Sequence, residues 1–293
     1  MTVDVVCAGP VFLDITFEGL EALPRPGEER FARDLHTTPG GAAITAVGLV
    51  RLGLRAAIAV PLGSDFAGTI LRDELEAAGV VCAGGRSGRT PVAAVLPVGD
   101  ERAFATFEPP ARVDAGTIER LQPRAVVLPL EQLEPVRSEA VVYATAGQRT
   151  LDRLGRRLPA GAARVRAVLA NHEEALRLTG ETDAEAAALA LAEWGETAVV
   201  TCGADGVVAA ASGEIVAVAA PRVEARDTTG AGDLFAAAYV WADLAGLPLQ
   251  ERLRRAAVYA ALSVRTATGA RSAATLDELE RNLAELDPAI MHE

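Results

Sequence analysis

The stretch VRAVLANHEEALRLTG (165–180) joins two patterns with no linker between them. Residues 165–171 form a short, nearly continuous apolar run, which suits a strand buried on both faces. Residues 171–179 then read as a helix. The same alternation recurs along the chain. Apolar runs at 3–9 (VDVVCAG), 56–63 (AAIAVPLG), 125–130 (AVVLPL), 141–147 (VVYATAG) and 198–203 (AVVTCG) are interleaved with helix candidates at 42–53, 66–79, 148–158 and 183–195. Strands of this kind separated by helices imply an α/β fold with a mostly parallel sheet covered on both sides. A hairpin is expected at 206–220, followed by helices at about 233–245, 249–266 and 275–286.

Two segments break the rhythm. Residues 14–38 are polar, and Pro24 and Pro26 exclude a helix there. Residues 91–107 read as two strands around a turn at Gly99-Asp100. Both are expected to form a small accessory β lid on a single α/β domain spanning 1–293. That length suffices for one large core.

Composition narrows the function. A formal net charge of −12 speaks against a nucleic-acid partner, which calls for a basic face. All 28 basic residues are arginine. Without lysine, neither a Walker A phosphate loop nor a protein-kinase site is possible. No G-x-G-x-x-G follows the first strand, so a dinucleotide oxidoreductase is disfavoured, and no G-x-S-x-G elbow marks a serine hydrolase. Cys7, Cys82 and Cys202 are widely spaced in apolar surroundings and read as reduced core residues. The opening residues MTVDVVCAGP lack a basic leader, and the longest apolar stretch, 42–62, is broken by Arg51 and Arg55. A cytoplasmic location with no membrane partner is expected.

The chemistry concentrates in ARDTTGAGDLFAAAYVWA (225–242). A helix N-terminus there would present unpaired amides to an anion, and Gly230 and Gly232 would let the anion approach closely. Asp233 then lies beside the bound anion. It is either a helix cap or a base that accepts a proton from an attacking hydroxyl. NHEE (171–174) offers Asn171 and Glu174 on one face of a helix start, again either as a cap or as ligands.

DTTGAGD (227–233) resembles the C-terminal signature of the ribokinase-like, or PfkB, carbohydrate kinases, and PGGAAITAVGLVRLG (39–53) resembles their N-terminal Gly-Gly signature. GSDFAG (63–68), NHEEALRLTG (171–180) and VVTCGADGV (199–207) are similar to further family elements in the same order. The resemblance implies a three-layer αβα fold and an ATP-dependent kinase acting on a primary hydroxyl of a small sugar. It makes Asp233 the general base and the amides of Gly230, Ala231 and Gly232 the anion hole. Asp14, Gly40, Gly41 and the position of Thr45 would hold the acceptor. Asn171, Glu174, Thr201, Gly203 and Gly206 would face the nucleotide, with Glu174 reaching Mg²⁺ through water. The carbonyls of Asp227 and Thr229 would serve a K⁺ ion. Phe12, Phe17, Phe104 and Phe107, at the strand end and in the two lid segments, would pack either on an apolar face of the acceptor or its base or in the core, with the core expected for at least two of them.

Departures from the family pattern lie on the acceptor and adenine sides. Thr45 stands where the family has Asn, Ala42 where ribokinases have Lys, and Ala257 where Asn or His is common. The run before Gly269-Ala270 is one residue longer than expected. A nucleoside kinase is the alternative enzyme reading, and a non-catalytic sugar or nucleotide sensor is the alternative outside catalysis. A monomer or a homodimer paired through the lid fits either.

Overall fold

The computed structural model describes residues 2–98, 101–109, 113–133, 139–157, 165–266 and 269–286. Its main sheet has nine strands. Counting in chain order, these are β1 (Val5–Cys7), β4 (Ala56–Ile58), β5 (Val81–Cys82), β8 (Ala125–Pro129), β9 (Val141–Thr145), β10 (Val165–Asn171), β11 (Thr197–Thr201), β12 (Val207–Ala211) and β13 (Glu214–Val218). They lie in the order β13-β12-β11-β10-β9-β8-β1-β4-β5. Every pair from β5 to β11 is parallel, and the β12–β13 hairpin closes the far edge antiparallel.

Strand side chains alternate between faces, so each face has its own apolar cluster. Val5 and Cys7 pack with α1 (Ala42–Arg51), α2 (Phe66–Ala77), α7 (Ala231–Leu244), α8 (Leu249–Ser263) and α9 (Leu276–Leu286). Val6 and Ala8 pack on the other face with Ile118 of α3 (Ala115–Leu121), Leu178 of α5 (His172–Thr179) and Leu191 of α6 (Ala184–Leu191). The result is the three-layer α/β architecture that the alternation of runs predicts. Two elements escape that reading: β5 is only two residues long, and α3 is a seven-residue helix capped by Asp114, which accepts from the Thr117 amide at 3.0 Å. The helix expected over 148–158 is α4 (Gln148–Leu154).

A second sheet, ordered β3-β2-β6-β7, comprises β2 (Val11–Glu18), β3 (Asp34–Gly41), β6 (Val92–Val98) and β7 (Glu101–Phe107). The turn expected at Gly99-Asp100 lies outside the described residues, as do residues 267–268 of the run before Gly269. β3 turns directly into α1 at Gly41, whose φ of 62° and ψ of −135° belong to glycine. A Cβ there would stand 2.5 Å from the Pro10 carbonyl oxygen. This corner holds the second sheet against the first turn of α1.

Helix α7 is anchored at its C-terminal end. The nearly buried Asp243 carboxylate accepts from the Tyr143 hydroxyl at 2.6 Å and from Arg166 at 3.0 Å, and it pairs with Arg252 at 2.6 Å. A carboxylate out of water requires such partners, and two guanidiniums supply them. Among the described residues, no helix is long and apolar enough to cross a membrane.

Candidate active site

The chain leaves β1 toward β4 on one side and returns to β8 on the other, so the β1–β8 boundary is a topological switch point. Ligands of open α/β sheets bind outside the carboxyl ends of strands at such a boundary. A cavity of about 280 Å³ opens there, lined by Gly9 and Pro10 after β1, by Pro129 at the end of β8 and by Glu131 just beyond it. Its wall also includes Phe12, Gly41, Thr45, Arg149 and Asp233.

Asp233 reaches this place because α7 begins two residues earlier than the sequence pattern suggests. The preceding loop is tied to the end of α8, with the Arg226 amide donating to the Val264 carbonyl at 2.7 Å. The Asp227 side chain accepts from the Thr229 amide at 2.7 Å. Gly230 then turns with φ 78°, where a Cβ would meet the Ile44 side chain at 2.8 Å, and serves as N-cap without a side-chain bond. The Ala231 amide turns back to the Thr228 carbonyl at 3.3 Å. The amides of Gly232 and Asp233 have no backbone acceptor among the described residues. The Gly230 amide likewise has none, so of the expected trio Gly230 and Gly232 keep free donors among the described residues while Ala231 is engaged.

The carboxylate of Asp233 is pushed up to about 7. Burial is the main cause; the Thr45 hydroxyl opposes it, and the negative charges of Asp14 and Glu174 add to it. Beneath it, burial and the Asp233 charge push the Cys7 thiol far up, so that residue is an inert floor.

Three further cavities adjoin. One of about 200 Å³ is lined by Asn171, Glu174, Thr201, Gly232 and Asp233. Another, of about 450 Å³ and largely apolar, is lined by Asn171, Thr201, Gly203, Gly206, Gly232 and Phe235, with Ala257, Ala260 and Ala261 from α8. The 280 Å³ cavity and the 200 Å³ cavity share Asp233, and the 200 Å³ and 450 Å³ cavities share Gly232. The three thus follow one another across the mouth of α7. The last cavity, about 360 Å³, separates the second sheet from the loop before α7 and is lined by Asp14, His36, Thr38, Asp227 and Thr229. Burial raises Asp14 to about 6. Gly40 lies over that carboxylate, since a Cβ on it would stand 2.3 Å from an Asp14 oxygen.

Asn171 and Glu174 form a reciprocal capping box at the start of α5, each side chain accepting from the other's amide at 2.9 Å. The cap and the cavity wall are the same residues. Glu174 is bonded through Oε2, which leaves Oε1 without a partner among the described residues. Its carboxylate is raised, chiefly by burial. His172 and Glu173 are exposed. Among the described residues, no group of three or more His, Cys, Asp or Glu is placed to hold a metal ion by itself. Phe12 lines the 280 Å³ cavity, whereas Phe104 and Phe107 are exposed, with Arg89 stacked 4.7 Å over the Phe107 ring.

Sequence reasoning missed Glu108, Glu131, Arg149 and Thr150, which all line the 280 Å³ cavity. Arg149 pairs with Glu108 at 2.6 Å, and the Thr150 hydroxyl donates to Glu131 at 2.6 Å. Residues 131 and 148–150 follow the carboxyl ends of β8 and β9, but the sequence alone does not show that these strand ends meet at the switch point.

A sequence model of the pfkB family carbohydrate kinases matches residues 4–276. The chain belongs to the PfkB family of carbohydrate kinases. It is therefore a phosphotransferase with an alcohol group as acceptor. Solved PfkB structures share the fold. An Arabidopsis thaliana ribokinase complexed with ribose and ATP is 24% identical, with a TM-score of 0.80 over 97% of this chain and 99% of that one. A Methanocaldococcus jannaschii nucleoside kinase is 19% identical, with a TM-score of 0.81 over 97% and 99%. An E. coli protein solved with ATP and Mg²⁺ is 20% identical, with a TM-score of 0.78 over the same shares.

Proposed function

We propose that this PfkB kinase transfers the γ-phosphoryl group of ATP to a primary hydroxyl of a small sugar, with Asp233 as general base. The observation that carries the reading is the sharing of Asp233 between the 280 Å³ cavity and the small cavity that leads past Gly232 to the large apolar one. The acceptor occupies the first, the triphosphate the second, and the adenosine the third, against Ala257 and Ala260. Gly41 lines that first cavity, and the acceptor extends from it past Gly40 toward Asp14, in the wall of the 360 Å³ cavity, which holds its remaining hydroxyls. The second sheet acts as a lid that excludes water.

In the step itself, Asp233 takes the hydroxyl proton, and the freed oxygen bonds to the γ-phosphorus. The bond from that phosphorus to the β–γ bridging oxygen breaks, and ADP leaves. The free amides at the mouth of α7 and the helix dipole oppose the charge that develops on the phosphoryl oxygens, so no lysine is required. Asp14 and Glu174 both raise the proton affinity of Asp233, which suits a base that must take a proton. Oε1 of Glu174 is the atom that would hold Mg²⁺, through water, where the ion supplies charge neutralisation between the phosphates. The ATP and Mg²⁺ in the E. coli relative support this reading. The backbone at Asp227 and Thr229 is the proposed K⁺ position.

The test is ADP formation with Mg-ATP and, in turn, ribose, fructose, 2-keto-3-deoxygluconate, adenosine and cytidine, with and without K⁺. Turnover with one of the first three is expected. Turnover confined to adenosine or cytidine would make the protein a nucleoside kinase. Absence of ADP with every acceptor would favour a sensor.

A further inference from the structure

Thr45 and Gly48 lie one turn apart on the face of α1 that meets α7. Gly48 allows the two helices to approach closely, since a Cβ on it would stand 2.8 Å from both Ala237 and Leu234. Thr45, at the level of the first turn of α7, is 3% exposed. A threonine inside a helix commonly turns its hydroxyl back to the carbonyl four residues earlier. Here the hydroxyl crosses to the neighbouring helix instead, at 3.3 Å from the Asp233 carbonyl oxygen and 3.4 Å from Asp233 Oδ1. Among the described residues, no other side chain hydrogen-bonds to that carboxylate.

We propose that Thr45 is a positioning residue for Asp233: its hydroxyl holds Oδ1 and the first turn of α7 in place and leaves Oδ2 to receive the acceptor's proton. This rests on the reading of Asp233 as the base. Among the described residues, the hydroxyl is also the one side chain that favours the ionised carboxylate. The other groups facing Asp233 are the Cys7 thiol on β1, Asp14 on β2 and Glu174 on α5, and the two carboxylates oppose its ionisation. Across the cavity, Arg149 is paired with Glu108, and Glu131 accepts from Thr150. Asparagine at position 45, as in the family pattern, would offer an amide with longer reach; threonine keeps the donor short and against α7.

The test compares Thr45→Val, which keeps the shape and removes the donor, with Thr45→Ser, which keeps the donor. Initial rates are measured against pH with Mg-ATP and whichever of ribose, fructose, 2-keto-3-deoxygluconate, adenosine and cytidine is turned over fastest. In the wild type, kcat/KM rises as pH passes through about 7, where Asp233 loses its proton. Thr45→Val is expected to lower kcat roughly tenfold and to move that limb up by about one pH unit, the value of one hydrogen bond to a charged group. Thr45→Ser is expected to return the limb to its wild-type position. A rise in acceptor KM with kcat and the limb unchanged would make Thr45 an acceptor contact and overturn the proposal. So would a Thr45→Val enzyme indistinguishable from wild type. If Thr45→Val does not fold, Thr45→Ala serves the same comparison. Failure of the underlying reading would look different: Asp233→Asn would retain turnover whatever Thr45 does.

Discussion

The two halves of the cleft, the one proposed for the nucleotide and the one proposed for the acceptor, are built from different materials. Beyond Asp233, the walls are backbone and small side chains: Gly203, Gly206, Gly232 and the alanines of α8. On the near side, long polar side chains join an otherwise largely apolar wall: Glu108, Glu131 and Arg149, paired with one another or with Thr150. ATP is the same molecule for every acceptor, and a phosphoryl group is satisfied by amides that come with any helix N-terminus. An acceptor has to be distinguished from its relatives, and that requires side chains whose reach and charge can differ. Damage to the first half should therefore act on turnover and damage to the second on acceptor KM.

Apart from Asp233 itself, the largest effect is expected at Gly232. Nothing lies within 4 Å of where its Cβ would go, so Gly232→Ala should fold and melt like wild type. The methyl group would intrude on the proposed phosphoryl site, and kcat should fall about a hundredfold, as for loss of one anion-hole donor. Unchanged kcat would break the comparison. Gly41→Ala should act in the opposite way. Its strained backbone and the Pro10 carbonyl should cost about 2–3 kcal/mol of stability, seen as a melting temperature several degrees lower.

Asp14→Asn should raise acceptor KM about tenfold or more while changing the KM for ATP little, because hydrogen bonds to a charged acceptor group are lost. Equal effects on both KM values would mean that the two halves are not separate. The smallest effect is expected at Arg149→Ala. The Arg149–Glu108 pair joins α4 to the end of β7, but Arg149 is 40% exposed, so stability should change by less than about 1 kcal/mol, as measured by denaturant unfolding. Acceptor KM should move a few-fold.

The same contrast governs what could be read from the sequence. Buried parallel strands are continuous apolar runs, so 125–130, 141–147 and 165–171 declared themselves, and the helices between them followed. DTTGAGD is legible because an anion site made of backbone needs glycines at fixed offsets along the chain. The acceptor wall is not, because Glu108, Glu131 and Arg149 meet only after the second sheet is laid over the switch point. No local pattern distinguishes these residues from solvated ones. The capping box shows a further limit: Asn171 and Glu174 fit both a cap and a ligand pair because they form one and line the cavity at the same time. Helix α3 and strand β5 were missed because both are too short to establish a period.

The central claim is that Asp233 takes the acceptor's proton at the junction of the two halves. It is tested most directly by measuring ATP binding and acceptor phosphorylation side by side in wild type and Asp233→Asn. In Asp233→Asn, ATP affinity should stay within a few-fold of wild type while kcat falls by roughly 10²–10⁴. Phosphorylated acceptor formed by Asp233→Asn at the wild-type rate would contradict it.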